Sequence, residues 1–254
     1  MANPPDVHVR LFGPVAAWRG TTAVPLGSVR QRTVLALLAL AAGRPVSRTD
    51  LVDTLWRDAP PRRAVNVIQT YVKGLRQALE PGRPARYPSG TLVTVGDGYA
   101  LRIPPGQVDA LRFRELVAGA RAARRAGDDG RVARLLDTAL GMWRAPLLPD
   151  TPLLSGHPSV TVIEGERWTA VGWYAQAALK LGTADDALST VEEAAAQRPL
   201  DESIHAWLIR LYRAAGRRAD ALAAYQRIRD RLAEDLGVDP VPELADLYAG
   251  ALNR

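Results

Sequence analysis

The chain contains no cysteine among its 254 residues. Disulfides, thiolate metal sites and cysteine nucleophiles are therefore excluded. Long apolar runs are also missing: the longest, Val34 to Ala42, is too short to span a bilayer. No charged segment followed by an apolar one opens the sequence, so the expectation is a soluble cytoplasmic protein with no membrane partner. The three histidines, His8, His157 and His205, are scattered without metal-ligand spacing. No glycine-rich P-loop is present, so nucleotide hydrolysis of that kind is not expected. Asp128-Asp129 and Asp185-Asp186 follow glycines between helical stretches and read as turn and cap residues. No catalytic residue, metal or cofactor is expected. Lysine is scarce, with only Lys73 and Lys180 among 33 basic residues. That bias belongs to coding composition as much as to function, so arginine counts alone carry little weight.

What is present is a division of charge. Residues 1–104 hold fourteen basic and six acidic residues, a net of +8, whereas the remainder nets −2. A basic first half beside a slightly acidic second half suggests a polyanion-binding module joined to a different one. The length is enough for two domains with a core in each.

The first segment reads as short strands, Val7–Phe12, Val15–Trp18 and Ala23–Leu26, punctuated by Gly13-Pro14 and Gly20-Thr21. A helix over Val29–Ala42 stops at Gly43. A second begins after the N-cap Ser47, carries Leu51, Leu55 and Trp56, and is stopped by Pro60-Pro61. A third ends at Glu80-Pro81-Gly82. Thr91–Val95 and Tyr99–Ile103 form a hairpin about Gly96-Asp97-Gly98. Pro104-Pro105-Gly106 reads as a linker. From Asp109 onward the pattern is helical, in segments 109–126, 130–143, 159–181, 184–197, 201–215, 218–236 and 241–252. Gly182, Asp186, Ala187 and Leu188 recur as Gly216, Asp220, Ala221 and Leu222 at an offset of 34, the period of the tetratricopeptide repeat. Tyr212, Tyr225 and Pro199 fit that repeat; Ile209 sits where its consensus has a small residue. A generic helical bundle remains the other reading.

The third helix is the most informative stretch. Val65, Ile68, Val72, Leu75 and Leu79 recur at steps of three and four, one apolar stripe. The opposite face carries Asn66, Thr70, Lys73 and Gln77, flanked by Arg62, Gln69 and Arg76. Amides pair with adenine and cationic groups with guanine in a major groove. Taken alone, such a face also fits an ordinary solvated helix.

The ordered set Leu11-Phe12-Gly13-Pro14, Gln31-Arg32, Val46-Ser47-Arg48-Thr49-Asp50-Leu51, Leu55-Trp56, Leu75-Arg76-Gln77-Ala78-Leu79 and Gly98-Tyr99-Ala100-Leu101 resembles an OmpR-type winged helix. Ala215-Gly216-Arg217, Ala221-Leu222, Tyr225 and Leu236-Gly237-Val238-Asp239-Pro240 resemble the bacterial transcriptional activation domain. Together, over nearly the whole chain, they look like the Streptomyces antibiotic regulatory protein family in its small form. The resemblance implies an α+β protein. A winged helix-turn-helix with a short β-sheet and hairpin wing occupies 1–104, and an all-α tetratricopeptide-like domain occupies 109–254. It implies a nucleoid-associated activator that binds direct repeats in promoter DNA near the −35 element, as tandem protomers. It also implies recruitment of RNA polymerase through the housekeeping sigma factor, and control of a secondary-metabolite gene cluster. No receiver domain fits ahead of the winged helix, so receiver phosphorylation is not expected.

Carried onto this sequence, the resemblance makes 62–79 the recognition helix. Arg62, Asn66, Gln69, Thr70, Lys73, Arg76 and Gln77 are candidates for base and phosphate contacts, and Arg63 for phosphate. Arg30, Arg32 and Arg48, near helix N-termini, suit phosphate, or are solvated surface charges. Trp56 is either core or a phosphate-binding indole. The wing departs from the wider winged-helix pattern, because Val95 stands where a basic residue often precedes the turn, and Asp97 sits at the tip. Its contribution is expected to be weak, with contacts near Thr94, Gly96 and Tyr99, and with Arg86 or Arg102 compensating. Arg57, Asp58 and Ala59 lie where related regulators touch sigma factor, or form an ordinary connection. The competing functional readings are a helical-repeat adaptor with weak DNA binding and a metabolite-sensing regulator using the helical groove.

Overall fold

A computed structural model describes residues 6–84 and 87–252. The chain divides into two compact units. The first comprises the residues up to Glu115 together with Met142–Glu164; the second comprises Leu116–Gly141 and Gly165 onward. The protein is α+β: small antiparallel sheets accompany the helices of the first unit, and the second is all-helical.

The first unit opens with a meander of β1 (Val7–Arg10), β2 (Ala16–Arg19) and β3 (Thr22–Val24). Val7 and Val9 face inward while His8 and Arg10 face out, the alternation expected of a half-buried strand. α1 (Val29–Leu40) starts at Ser28, whose hydroxyl accepts from Gln31 N–H while the Gln31 side chain accepts from Ser28 N–H. This capping box satisfies two N–H groups left without helical partners. α1 is buried from Thr33 to Leu40. It ends two residues before the expected stop, because Ala42 and Gly43 both adopt positive φ.

β4 (Val46–Ser47) leads directly into α2 (Arg48–Trp56), capped by Ser47 and Asp50. This two-residue strand is too short for a sequence pattern to reveal. Arg57, at φ +50°, ends α2 before the two prolines are reached. α3 (Ala64–Leu79) buries Ala64, Ile68, Val72, Leu75 and Leu79. The stripe thus begins one residue earlier than the apolar pattern suggests, and Val65 is 40% exposed. β5 (Leu92–Val95) and β6 (Gly98–Leu101) form the hairpin, with β4 on the outer side of β6. Gly98 is required there: a Cβ would lie 2.2 Å from the Val46 carbonyl oxygen.

The later segments of this unit close its core. Asp109, at the start of α4 (Asp109–Arg125), accepts from the Leu11 and Phe12 amides at 2.8 and 3.0 Å. Phe12 packs against Phe113 and Trp143 with ring centroids 5.9 and 4.4 Å apart. Asp150 accepts from Val15 N–H at 2.9 Å and from Arg32 Nε at 2.7 Å.

The second unit contains α5 (Asp129–Leu140), α7 (Ala184–Gln197), α8 (Glu202–Ala214), α9 (Arg218–Leu236), α10 (Pro242–Leu252) and the corresponding parts of α4 and α6 (Pro158–Leu181). The 34-residue repeat has a structural counterpart. Gly182 and Gly216 sit at φ +72° and +74°. The following amide bonds back across the helix end each time, Thr183 N–H to Ala178 O and Arg217 N–H to Tyr212 O, the Schellman arrangement. The same bonds occur at Gly127, where Asp128 N–H reaches Ala123 O. A third helical turn of this kind therefore precedes the two that the period reveals. Gly127 lies 55 residues before Gly182 and so falls outside the 34-residue register.

Candidate nucleic-acid interface

α3 presents its polar side to solvent. Arg62, Arg63, Asn66, Gln69, Thr70, Lys73 and Gln77 are all exposed. Burial of the Ala64–Leu79 stripe dictates this, because residues on the opposite side of a 3.6-residue helix must then face outward. Thr70 Oγ1 donates to Asn66 O at 3.0 Å, which leaves its lone pairs available. Arg63 occupies the N-cap without a side-chain cap bond, so no side chain competes for an anion at that helix end.

Arg76 is placed differently. Its Nε donates to Leu92 O and its Nη2 to Thr94 Oγ1, both at 2.8 Å. Its guanidinium also lies 5.7 Å from the Tyr99 ring centroid, within cation–π range. Burial lowers its pKa from the ordinary arginine value, yet it remains charged. Arg76 therefore ties α3 to β5. Tyr99 is only 3% exposed and also carries the Arg48 guanidinium at 5.7 Å. The ring is thus a platform that aims two cations. Arg48 Nε is buried without a partner among the described residues.

Of the other cationic candidates, Arg30 is exposed and lies 5.7 Å from the half-buried Trp56 ring. Arg32 is engaged by Asp150 and by Gly27 O. Thr94, Gly96 and Asp97 are exposed on the hairpin. Arg57, Asp58 and Ala59 are exposed between α2 and α3. Arg86 lies outside the described residues.

A groove of about 710 Å³ beside the hairpin is lined by Arg76, Arg83, Thr94 and Arg102. Arg83 escaped the sequence reading. Its Nε lies 3.0 Å from Glu80, and the spacing of these two residues was the available signal. Burial pushes the Glu80 carboxyl up, but hydrogen bonds from Thr91, Ser89 and Gly90 outweigh it and hold the group below the ordinary carboxylate value. Glu80 thereby fixes the approach to β5.

Among the described residues, no cluster of three His, Asp or Glu side chains could hold a metal ion. No described helix is long and apolar enough to cross a membrane.

A solvent-facing polar helix beside a hairpin, on a capped three-helix core, defines a winged-helix DNA-binding protein. Residues 23–101 match the family described as transcriptional regulatory protein, C terminal, and residues 108–252 match the bacterial transcriptional activator domain. The chain is 36% identical over 247 residues to the regulatory protein AfsR of Streptomyces griseus, covering 97% of this chain and 24% of that protein. It is 36% identical over 260 residues to the transcriptional regulatory protein EmbR of Mycobacterium tuberculosis, covering 100% and 66%. With the transcriptional regulator RedD of Streptomyces coelicolor it shares 34% over 238 residues, covering 92% and 67%. A solved structure of Mycobacterium tuberculosis EmbR in complex with a low affinity phosphopeptide superimposes with a TM-score of 0.82 at 34% identity, over 98% of this chain and 65% of that one. The chain thus spans about a quarter of AfsR and about two thirds of EmbR. It belongs to the Streptomyces antibiotic regulatory protein family, as a DNA-binding transcriptional regulator of a family that is not enzymatic.

Proposed function

We propose that the chain activates transcription by reading direct repeats near a promoter's −35 element and recruiting RNA polymerase. The observation that carries this reading is the exposed face of α3, where Asn66, Gln69, Thr70, Lys73 and Gln77 stand together. Such a face supports direct readout, because amide and cationic groups complement purine edges in the major groove. Residues 1–104 would read the DNA, and residues 109–254 would act on polymerase. Arg62, Arg63, Arg30 and Arg48 serve as phosphate contacts that set register and salt dependence. Arg76 acts with the wing, where Thr94 and Gly96 approach the backbone. Arg57, Asp58 and Ala59 form the sigma-facing loop. Tandem protomers on direct repeats suit a head-to-tail arrangement better than a two-fold dimer, which matches a palindrome. Membership of the Streptomyces antibiotic regulatory protein family supports a secondary-metabolite cluster as the target, in the cytoplasm beside the nucleoid.

Footprinting on the chain's own neighbouring promoters tests the first step. Protection of spaced direct repeats is expected, whereas binding of equal strength to unrelated DNA would overturn sequence-specific reading. Addition of purified polymerase with its housekeeping sigma factor tests the second. A ternary complex on the protected promoter is expected, and its absence would refute recruitment.

A further inference from the structure

His205 is only 7% exposed, and neither ring nitrogen makes a well-formed hydrogen bond with a described residue, the Pro199 carbonyl acting on the ring only as the least of its electrostatic influences. A buried imidazole pays a substantial desolvation cost when its N–H is left unmade. The ring lines a half-open cleft of about 340 Å³ between α7, α8 and α9, a volume at the lower end of small-molecule sites. Ala195, Ala196, Pro199 and Leu208 give it apolar walls. Arg227, Arg231 and Glu192 supply its charges. Arg227 makes no hydrogen bond or ion pair with any described residue. Arg231 lies 3.5 Å from the exposed Asp235. Glu192 is already engaged, accepting from Tyr212 Oη at 2.7 Å and lying 3.7 Å from Arg217.

We infer that this cleft binds a small organic carboxylic acid. Its carboxylate would meet Arg227 and the His205 ring, and its apolar body would lie against Ala195, Ala196 and Leu208. Arg231 is matched by Asp235 and Glu192 by Arg217, which leaves Arg227 as the one unmatched charge of the lining among the described residues, and one carboxylate neutralises it. A doubly charged phosphate ester would instead bring a second negative charge for which the lining holds no unpaired cation among the described residues. The small volume of the cleft favours a small molecule over an extended peptide. The site is independent of the DNA-reading face, and its failure would leave that reading intact. Burial holds His205 below the ordinary imidazole range, so at neutral pH it offers one donor and one acceptor.

The three histidines make imidazole NMR a clean probe of the full chain. Sodium benzoate and sodium octanoate are titrated against histidine-labelled protein, with benzamide and octanamide as uncharged controls. Saturable shifts of the His205 ring signals, identified by their loss in His205→Gln, are expected with at least one acid and not with His8 or His157. Its amide is expected to bind about tenfold more weakly or worse, since charge-assisted hydrogen bonds are the stronger class. Arg227→Gln, an exposed change that leaves the helical core untouched, should weaken the acid to the level of its amide. Absence of saturable shifts with either acid would overturn the proposal. Equal binding of acid and amide, or full retention of affinity in Arg227→Gln, would do the same.

Discussion

Arg76 Nη2 donates to Thr94 Oγ1 at 2.8 Å, and with the bond from its Nε to Leu92 O this one side chain joins α3 to the hairpin. Lys73, one turn earlier on the same helix, is exposed. The two cations therefore respond differently to removal. Arg76→Ala should cost about 1–2 kcal/mol of unfolding free energy, from loss of charge-assisted bonds to β5. Promoter affinity should fall as well, through misplacement of the hairpin. Lys73→Ala should leave the melting temperature unchanged and weaken the promoter complex by about 1–3 kcal/mol if it meets a base. Melting curves and gel-shift titrations on both variants separate the effects; a destabilised Lys73→Ala would contradict the assignment.

Gly98 and Gly96 differ in what surrounds them. A Cβ at Gly98 would meet the Val46 backbone at 2.2 Å, whereas one at Gly96 meets nothing within 4 Å but must adopt φ +56°. Gly98→Ala should cost about 2–4 kcal/mol by forcing β4 from β6. Gly96→Ala should cost about 1 kcal/mol through backbone strain alone. Urea denaturation of the two variants measures the difference, and equal costs would disprove the close approach.

Asp109 holds the amides of Leu11 and Phe12, and also that of Ala110 at 2.7 Å. Asp109→Ala strands these donors and should cost about 3 kcal/mol. Asp109→Asn keeps an acceptor of the same shape and should recover more than half of that loss. Burial raises the Asp109 carboxyl above its ordinary value. The folded state then binds its proton more readily than the unfolded chain does. This group's contribution accordingly weakens as pH rises from the ordinary aspartate range through the raised value. Chemical denaturation of the three proteins across that range would show the slope vanish in Asp109→Asn.

The half-buried His157 and the buried His205 act in the opposite pH direction. His157 and His205 are both lowered by burial from the model-compound value of 6.5, with Arg227 adding to the effect at His205. Below that value the unfolded chain takes up protons that the folded chain resists. Stability should therefore decline as pH falls below 6.5 towards the lowered values. His205→Gln should flatten the decline, as read from urea midpoints at neutral and mildly acidic pH. An unchanged slope would show that His205 titrates normally.

The helix order, the caps at Ser47 and the 34-residue period were legible because each rests on residues close in sequence. The register of α3 was legible to within one position. Ala64 and Val65 lie four and three residues before Ile68, so either continues the stripe, and only packing chooses the smaller residue. The role of Arg76 was not legible, because its partners lie 16 and 18 residues away across a turn. Arg32 was still less so, with its carboxylate 118 residues along the chain. Side chains on one exposed helix face follow from periodicity, whereas the commitment of a cation to a distant carbonyl or carboxylate follows only from tertiary structure.

The tie between Arg32 and Asp150 also imposes an order on biosynthesis. The first unit is complete only when the nascent chain has delivered Trp143 to Phe12 and Asp150 to Val15 and Arg32. α3 leaves the ribosome well before its own scaffold is complete. A chain halted after the hairpin would carry the reading face on an unfinished core, with the Leu11 and Phe12 amides and the Phe12 ring uncovered. Such a fragment should melt at a lower temperature than the whole chain.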